Sequence, residues 1–226
     1  MAVAFDTGGA DAVRKWIRPP EPIVVPPAFQ AIMGWEPEQY AGAAAPAYPC
    51  LIDERHVVAE LYDMPNVPMA VWIDERGRIV RPAEPAGATD GFRRMDRSTY
   101  TLPPDAIAAG RASRKLYVDA IRDWVRNGSA SVYALSEDAA RARIAGPSDT
   151  DALAAATFRL AQYLHERGDA DRAKAYFEEA RRLCPERWNF VRQALELEGT
   201  GNASGPQFVA ALAALGSRNY YAPIEL

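Results

Sequence analysis

The chain has 226 residues, 49% hydrophobic and 25% charged, with a formal net charge of -4 at pH 7, enough for one good core or two small ones in a globular protein. A pI near 5.4 provides no field to attract phosphate backbones or anionic lipid, so neither nucleic acid nor a membrane is expected as a partner. No apolar run approaches the roughly 20 residues that cross a bilayer, and MAVAFDTGG lacks the regions of a secretory signal, so a cytoplasmic location is expected.

AVAFD at 2 to 6 reads as a short apolar strand. TGGADAVRKWI continues as a helix with Thr7 at its N-cap and Ala12, Val13, Trp16 and Ile17 on one face. TGG also follows a strand and opens a helix, a geometry that weakly favours anions. Residues 19–49 are dense in Pro and Ala and read as an irregular insertion, with a short helix around PAFQAIMGW. In CLIDERHVVAELYDM, Leu51 and Ile52 end a short extended piece and Asp53 caps a helix whose face carries Val57, Val58, Leu61 and Tyr62. His56 is expected to be solvated in the first turn of that helix. MPNVPMAVWIDERGRIVRP then reads as two strands joined by a turn at Gly77, with Pro68 heading the first strand. A proline there gives up a backbone donor and fixes φ, so it fits where no ladder bond is needed. The α/β part thus runs β-α-β-β.

Within that part, YPCLIDERHVVAELYDMPNVPMAVWIDERGRIV, residues 48 to 80, resembles the redoxin group of the thioredoxin-like superfamily, in its TlpA-like and peroxiredoxin-like members. The resemblance implies that Pro68 is the group's cis-proline, with Asn66 and Val67 leading into it. It also implies that the proline's peptide unit binds a substrate chain through backbone hydrogen bonds, making Asn66, Val67 and Pro68 the substrate-binding candidates. In these relatives a Cys-x-x-Cys, or a single peroxidatic Cys, opens a helix whose N-terminus lowers the thiol pKa. No such element is present in this sequence. If AVAFD corresponds to the strand after that helix, the redox strand and helix fall upstream of Met1, and the thioredoxin-like sheet is incomplete. Direct pairing of AVAFD with MAVWID, a substitute strand such as IVV at 23 to 25, or a second subunit would then complete it, since an open buried edge is costly. A homodimer is expected on that argument.

Cys50 is the one catalytic candidate. In YPCLID it stands where the resemblance implies an aliphatic residue, and it reads plainly as a small buried apolar side chain; the chemical reading needs it exposed near Pro68, beside Arg55 or His56. Cys184 lies in a different segment, which speaks against a disulfide scaffold. The two histidines, His56 and His165, and the two cysteines show no zinc-ligand spacing. The acids Asp53, Glu54, Asp74 and Glu75 fall at element ends, where capping and solvation account for them. No metal or other cofactor is expected.

After RPAEPAGATDG the pattern turns helical. Residues 105 to 127 carry Ile107, Leu116, Val118, Ile121, Trp124 and Val125 at helical spacing before Asn127 and Gly128, and SEDAARARIAG gives a shorter helix. DALAAATFRLAQYLHERGDADRAKAYFEEARRLCPE, residues 151 to 186, resembles a single tetratricopeptide repeat (TPR). Leu160, Ala161 and Leu164 lie on the first helix, Gly168 and Asp169 at the turn, Ala173, Phe177 and Ala180 on the second helix, and Pro185 closes the unit. One repeat cannot build a solenoid, so this hairpin leans on other helices, RWNFVRQALELEG and PQFVAALAALG being available. Trp188 reads as a packing anchor, and Tyr220 and Tyr221 as pins for the final residues.

The expected fold class is therefore α/β plus all-α: a truncated thioredoxin-like domain at 1–90 with the insertion 19–49, then a helical TPR-like module at 91–226. The expected function is a thioredoxin-like protein without the Cys-x-x-Cys motif, acting non-catalytically on a protein or peptide partner. The alternative is a thiol-disulfide or peroxide oxidoreductase that uses Cys50, or cysteines encoded upstream of this chain.

Overall fold

The computed structural model describes residues 1–17, 30–31, 48–144, 146–199 and 205–226. Most of the 19–49 insertion, including IVV at 23 to 25, lies outside the described residues.

The chain is mixed α/β. Strand β1 (Ala2–Phe5) is followed by helix α1 (Gly9–Ile17) and by strand β2 (Cys50–Asp53), which pairs with β1 in parallel from Ala2↔Cys50 to Phe5↔Asp53. A parallel pair needs a long crossover, and the sequence between the two strands, which includes α1, is long enough to make one. Helix α2 (Val57–Leu61) leads to a hairpin of β3 (Met69–Ile73) and β4 (Ile79–Pro85). Its turn is fixed by Asp74, whose amide donates to the Arg78 carbonyl at 2.9 Å and whose carboxylate accepts the amides of Arg76 and Arg78 at 2.9 Å each. Trp72 and Arg81 are both buried on this hairpin. The guanidinium sits 5.3 Å from the indole centroid, a cation–π contact that offsets part of the cost of removing the charge from water.

Among the described residues these four strands make two sheets of two, β1–β2 and β3–β4, instead of one incomplete sheet. The stretch CLID, read as an extended piece, is the partner of AVAF, and MAVWI pairs with its own hairpin neighbour.

Among the described residues six α-helices follow: α3 (Pro104–Asn127), α4 (Glu137–Arg143), α5 (Asp149–Glu166), α6 (Ala170–Leu183), α7 (Trp188–Leu197) and α8 (Pro206–Ala214). The main core cluster joins α5, α6 and α7 through Ala154, Phe158, Ala161, Leu164, Ala173, Phe177, Ala180, Cys184, Phe190 and Ala194. The alanines let helix axes approach, and Phe158 fills the space between, its ring stacked 4.3 Å from that of Phe190 and 5.4 Å from that of Phe177. Helix α5 opens on a reciprocal cap: Ser148 accepts the Asp151 amide while the Asp151 carboxylate accepts the Ser148 amide. Asp169 caps α6. Leu160, expected in this core, is instead 38% exposed. It lies one position before the buried Ala161, so its side chain leaves on the solvent side of α5.

The chain forms two compact units, one of Met1–His56, Glu84–Ser136 and Tyr221–Leu226, the other of Val57–Ala83 and Glu137–Tyr220. This division does not follow 1–90 and 91–226: α2 and nearly all of the β3–β4 hairpin share a unit with α4 to α8. In the first unit α3 buries Ala106, Gly110, Tyr117 and Ala120. The Tyr117 hydroxyl bonds Glu84 at 3.1 Å, and the Tyr221 amide donates to Asp90 at 2.8 Å. In the second, Trp188, Phe208 and Tyr220 form an aromatic cluster, with Trp188 and Tyr220 centroids 4.5 Å apart. No described helix is long and apolar enough to cross a membrane.

Candidate functional site

The loop Asp63–Pro68 carries three of the four site candidates, and its Val67–Pro68 peptide is cis. Local sequence alone does not hold this loop. Asp63, at φ 51° just beyond α2, receives a hydrogen bond from Arg187. The Met64 carbonyl accepts the Asn189 side-chain amide at 3.2 Å, and the Pro65 carbonyl accepts the Asn189 backbone amide at 3.0 Å. That amide belongs to the first turn of α7, where helix donors lack internal acceptors, so the loop carbonyl serves as an external cap. Asn66, 3% exposed, donates from Nδ2 to the Tyr220 carbonyl at 3.1 Å and accepts the Val67 amide on Oδ1 at 2.8 Å.

The resemblance implies backbone hydrogen bonds from the proline's peptide unit to a bound chain. In the structure the Val67 amide is engaged by Asn66, and the Asn66 side chain is buried as a brace between the loop and Tyr220. Sequence reasoning found Pro68 but not its supports. Arg187 and Asn189 lie more than a hundred residues away, and only the polar pair flanking the buried Trp188 hinted that this helix start faces something other than solvent.

Cys50 belongs to the other compact unit, at the start of β2. It is half-buried, more open than the small core side chain its sequence context implied, and its thiol lies 3.6 Å from the Tyr48 carbonyl. His56 corrects a second expectation. It precedes α2 at φ 56°, is buried, and sets its ring 5.9 Å from that of Phe5. The turn that follows β2 folds it back over the β1–β2 pair and away from solvent. At TGG the helix start is already occupied. The Gly8 amide donates to the Asp6 carboxylate at 2.9 Å, and a Cβ on Gly9 (φ 63°) would run into the Glu54 carboxylate. The Asp6 carboxylate therefore already takes one of the amides an anion would use, with a second carboxylate, Glu54, beside it.

Cys184 sits among charged groups of the second unit. Its Sγ is 3.3 Å from Asp151 Oδ1, and Asp151, Cys184 and Glu186 bring their donor atoms within 4.8 Å of one another. Burial above all, and then the neighbouring Asp151 and Glu186 carboxylates, push the thiol up to about 11. The Arg187 Nε lies 3.9 Å from the same Asp151 oxygen. A cation would need the thiolate and would face the guanidinium, so this donor set is better suited to its internal ion pair than to a metal.

The chain matches no family model, no curated protein and no solved structure.

Proposed function

We propose that this protein is a thioredoxin-like interaction protein that works without thiol chemistry. The carrying observation is the condition of its two cysteines. Both are free; Cys50 stands half-buried at a strand start in one compact unit, and Cys184 is sealed in the other with its thiol pushed up to about 11. Reductase chemistry needs an accessible thiolate and a second thiol to resolve the mixed disulfide. The engagement of the Val67 amide by Asn66, in the loop the resemblance assigns to substrate binding, supports the same reading. The α5–α6 hairpin, whose small and aromatic positions follow the TPR pattern, adds an exposed helical surface of the kind interaction proteins use.

The test compares wild type with Cys50→Ser in insulin-disulfide reduction and in peroxide consumption. Equal background rates are expected. A clear loss of rate on substitution would overturn the reading in favour of a Cys50-dependent oxidoreductase.

A further inference from the structure

Helix α5 turns one unbroken seam to solvent. Asp149, Leu153, Ala156, Leu160, Tyr163 and Arg167 are all exposed, Leu153 at 55% and Tyr163 at 54%. Their spacing alternates four and three residues, the a and d positions of a heptad, which keeps a stripe facing one partner helix over two heptads. The seam is apolar in the middle and carries opposite charges at its ends. Its flank is already neutralised, since Arg159 pairs with Glu60 at 2.8 Å.

We propose that this seam pairs with the same seam of a second copy, antiparallel about a two-fold axis. In an antiparallel helix pair each a residue faces a d residue of the partner. That rule sets Leu153 against Tyr163 of the second copy and Leu160 against Ala156, so a large side chain meets a small one around the axis. It also sets Asp149 against Arg167 at both ends. The parallel alternative stacks Asp149 on Asp149, Arg167 on Arg167, and leaves Ala156 facing Ala156 beside a crowded Tyr163 pair. Charge and size thus select the antiparallel arrangement, and the isologous interface closes at two chains. Two heptads of one helix bury less than the roughly 800 Å² per partner of a standard interface, so the dimer forms in a concentration-dependent way and loosens with added salt.

Sedimentation velocity across a concentration series tests this on the full chain, with circular dichroism confirming that each variant folds. Wild type is expected to shift from monomer to dimer. Leu160→Glu is expected to weaken association by at least about tenfold, the factor a loss of about 1.4 kcal/mol produces. Asp149→Arg and Arg167→Asp are each expected to lose self-association, because each places like charges at both ends of the seam. Mixed in equal amounts they are expected to regain it, since both end pairs become opposite again. That restoration cannot arise from variants that merely misfold. A wild type monomeric at every concentration, including one that instead binds an unrelated amphipathic helix, would overturn the proposal. So would a dimer indifferent to both charge reversals, or a mixture that fails to recover.

Discussion

Asn66 offers the sharpest test of how the Pro68 loop is held. Its amide makes two bonds with different partners: Nδ2 donates to the Tyr220 carbonyl at 3.1 Å and Oδ1 accepts the Val67 amide at 2.8 Å. Asn66→Ala removes both. At about 0.5–1.5 kcal/mol net for each bond, the loss should be about 1–3 kcal/mol. Asn66→Asp keeps the acceptor for Val67 but replaces the donor to Tyr220 with a buried charge facing a carbonyl. At neutral pH it should therefore cost more than alanine does. Burial raises the pKa of such a carboxyl above its unfolded value. Its neutral form, which can again donate to Tyr220, is favoured as pH falls, so the deficit of Asn66→Asp should shrink between pH 7 and pH 4. Urea unfolding followed by far-ultraviolet circular dichroism gives the stability change from the midpoint, provided the slope is unaltered. Amide exchange across residues 63–68 locates the loosening. An alanine variant within about 0.5 kcal/mol of wild type, the range of a neutral surface change, would refute the bracing role. So would an aspartate variant that matches alanine at pH 7 and shows no recovery on acidification.

Three further outcomes are expected. Phe158→Ala should destabilise the α5–α6–α7 core by about 3–5 kcal/mol in the same urea assay, since Phe158 is 1% exposed and touches two other rings; a cost under about 1 kcal/mol would contradict the packing described. Ser148→Ala should cost about 1 kcal/mol by removing the α5 cap. The Ser148 hydroxyl and amide, with help from Cys184 and Arg187, hold the Asp151 carboxyl below its ordinary 3.8. Its contribution is therefore complete above that value and fades as pH falls through the lower folded one. Asp151→Asn should flatten that portion of the acid limb, and an unchanged acid limb would count against the cap. Thiol titration with a disulfide reagent at pH 8 should find Cys50 reacting ahead of Cys184, a residue 2% exposed whose thiol is pushed up to about 11; Cys184 should react freely only in denaturant. Comparable rates for both in the native protein would show that Cys184 is not sealed.

Local signals in the sequence located nearly every element. The 3.6-residue pattern of 105–127 and the small-residue pattern of 151–186 found α3, α5 and α6 within two or three residues, because helix periodicity is carried by each segment itself. The hairpin was legible from Asp74 and Gly77, whose turn chemistry needs no distant partner. Three features were not. The partner of AVAF depends on a crossover across an insertion, and a four-residue strand has no pattern that names its neighbour. The exposure of Leu160 follows from α5 having α6 and α7 on one side, so that one more leucine in an apolar stretch looks like core until its neighbours are placed. The roles of Arg187, Asn189 and Asn66 depend on contacts that span 124 to 154 positions, where periodicity carries no information.

Those long-range contacts explain why the second unit contains both a hairpin and a helical bundle. A two-stranded hairpin is marginal by itself in water, and β3–β4 begins directly after the loop that Arg187, Asn189 and Tyr220 hold. Arg187 carries the argument furthest. It is 8% exposed, bonds Asp63 at the loop and lies 3.9 Å from Asp151 at the cap of α5, with its guanidinium 5.8 Å from the Phe190 ring in the core. A buried cation is tolerated only where carboxylates and hydrogen bonds surround it, so Asp63 and Asp151 must both be near for α7 to begin where it does. One side chain thereby hydrogen-bonds the loop before Pro68 and places its charge beside the carboxylate that caps α5. The start of α7 and the Tyr220 carbonyl thus supply the loop at the head of β3 with hydrogen bonds that its own short segment lacks.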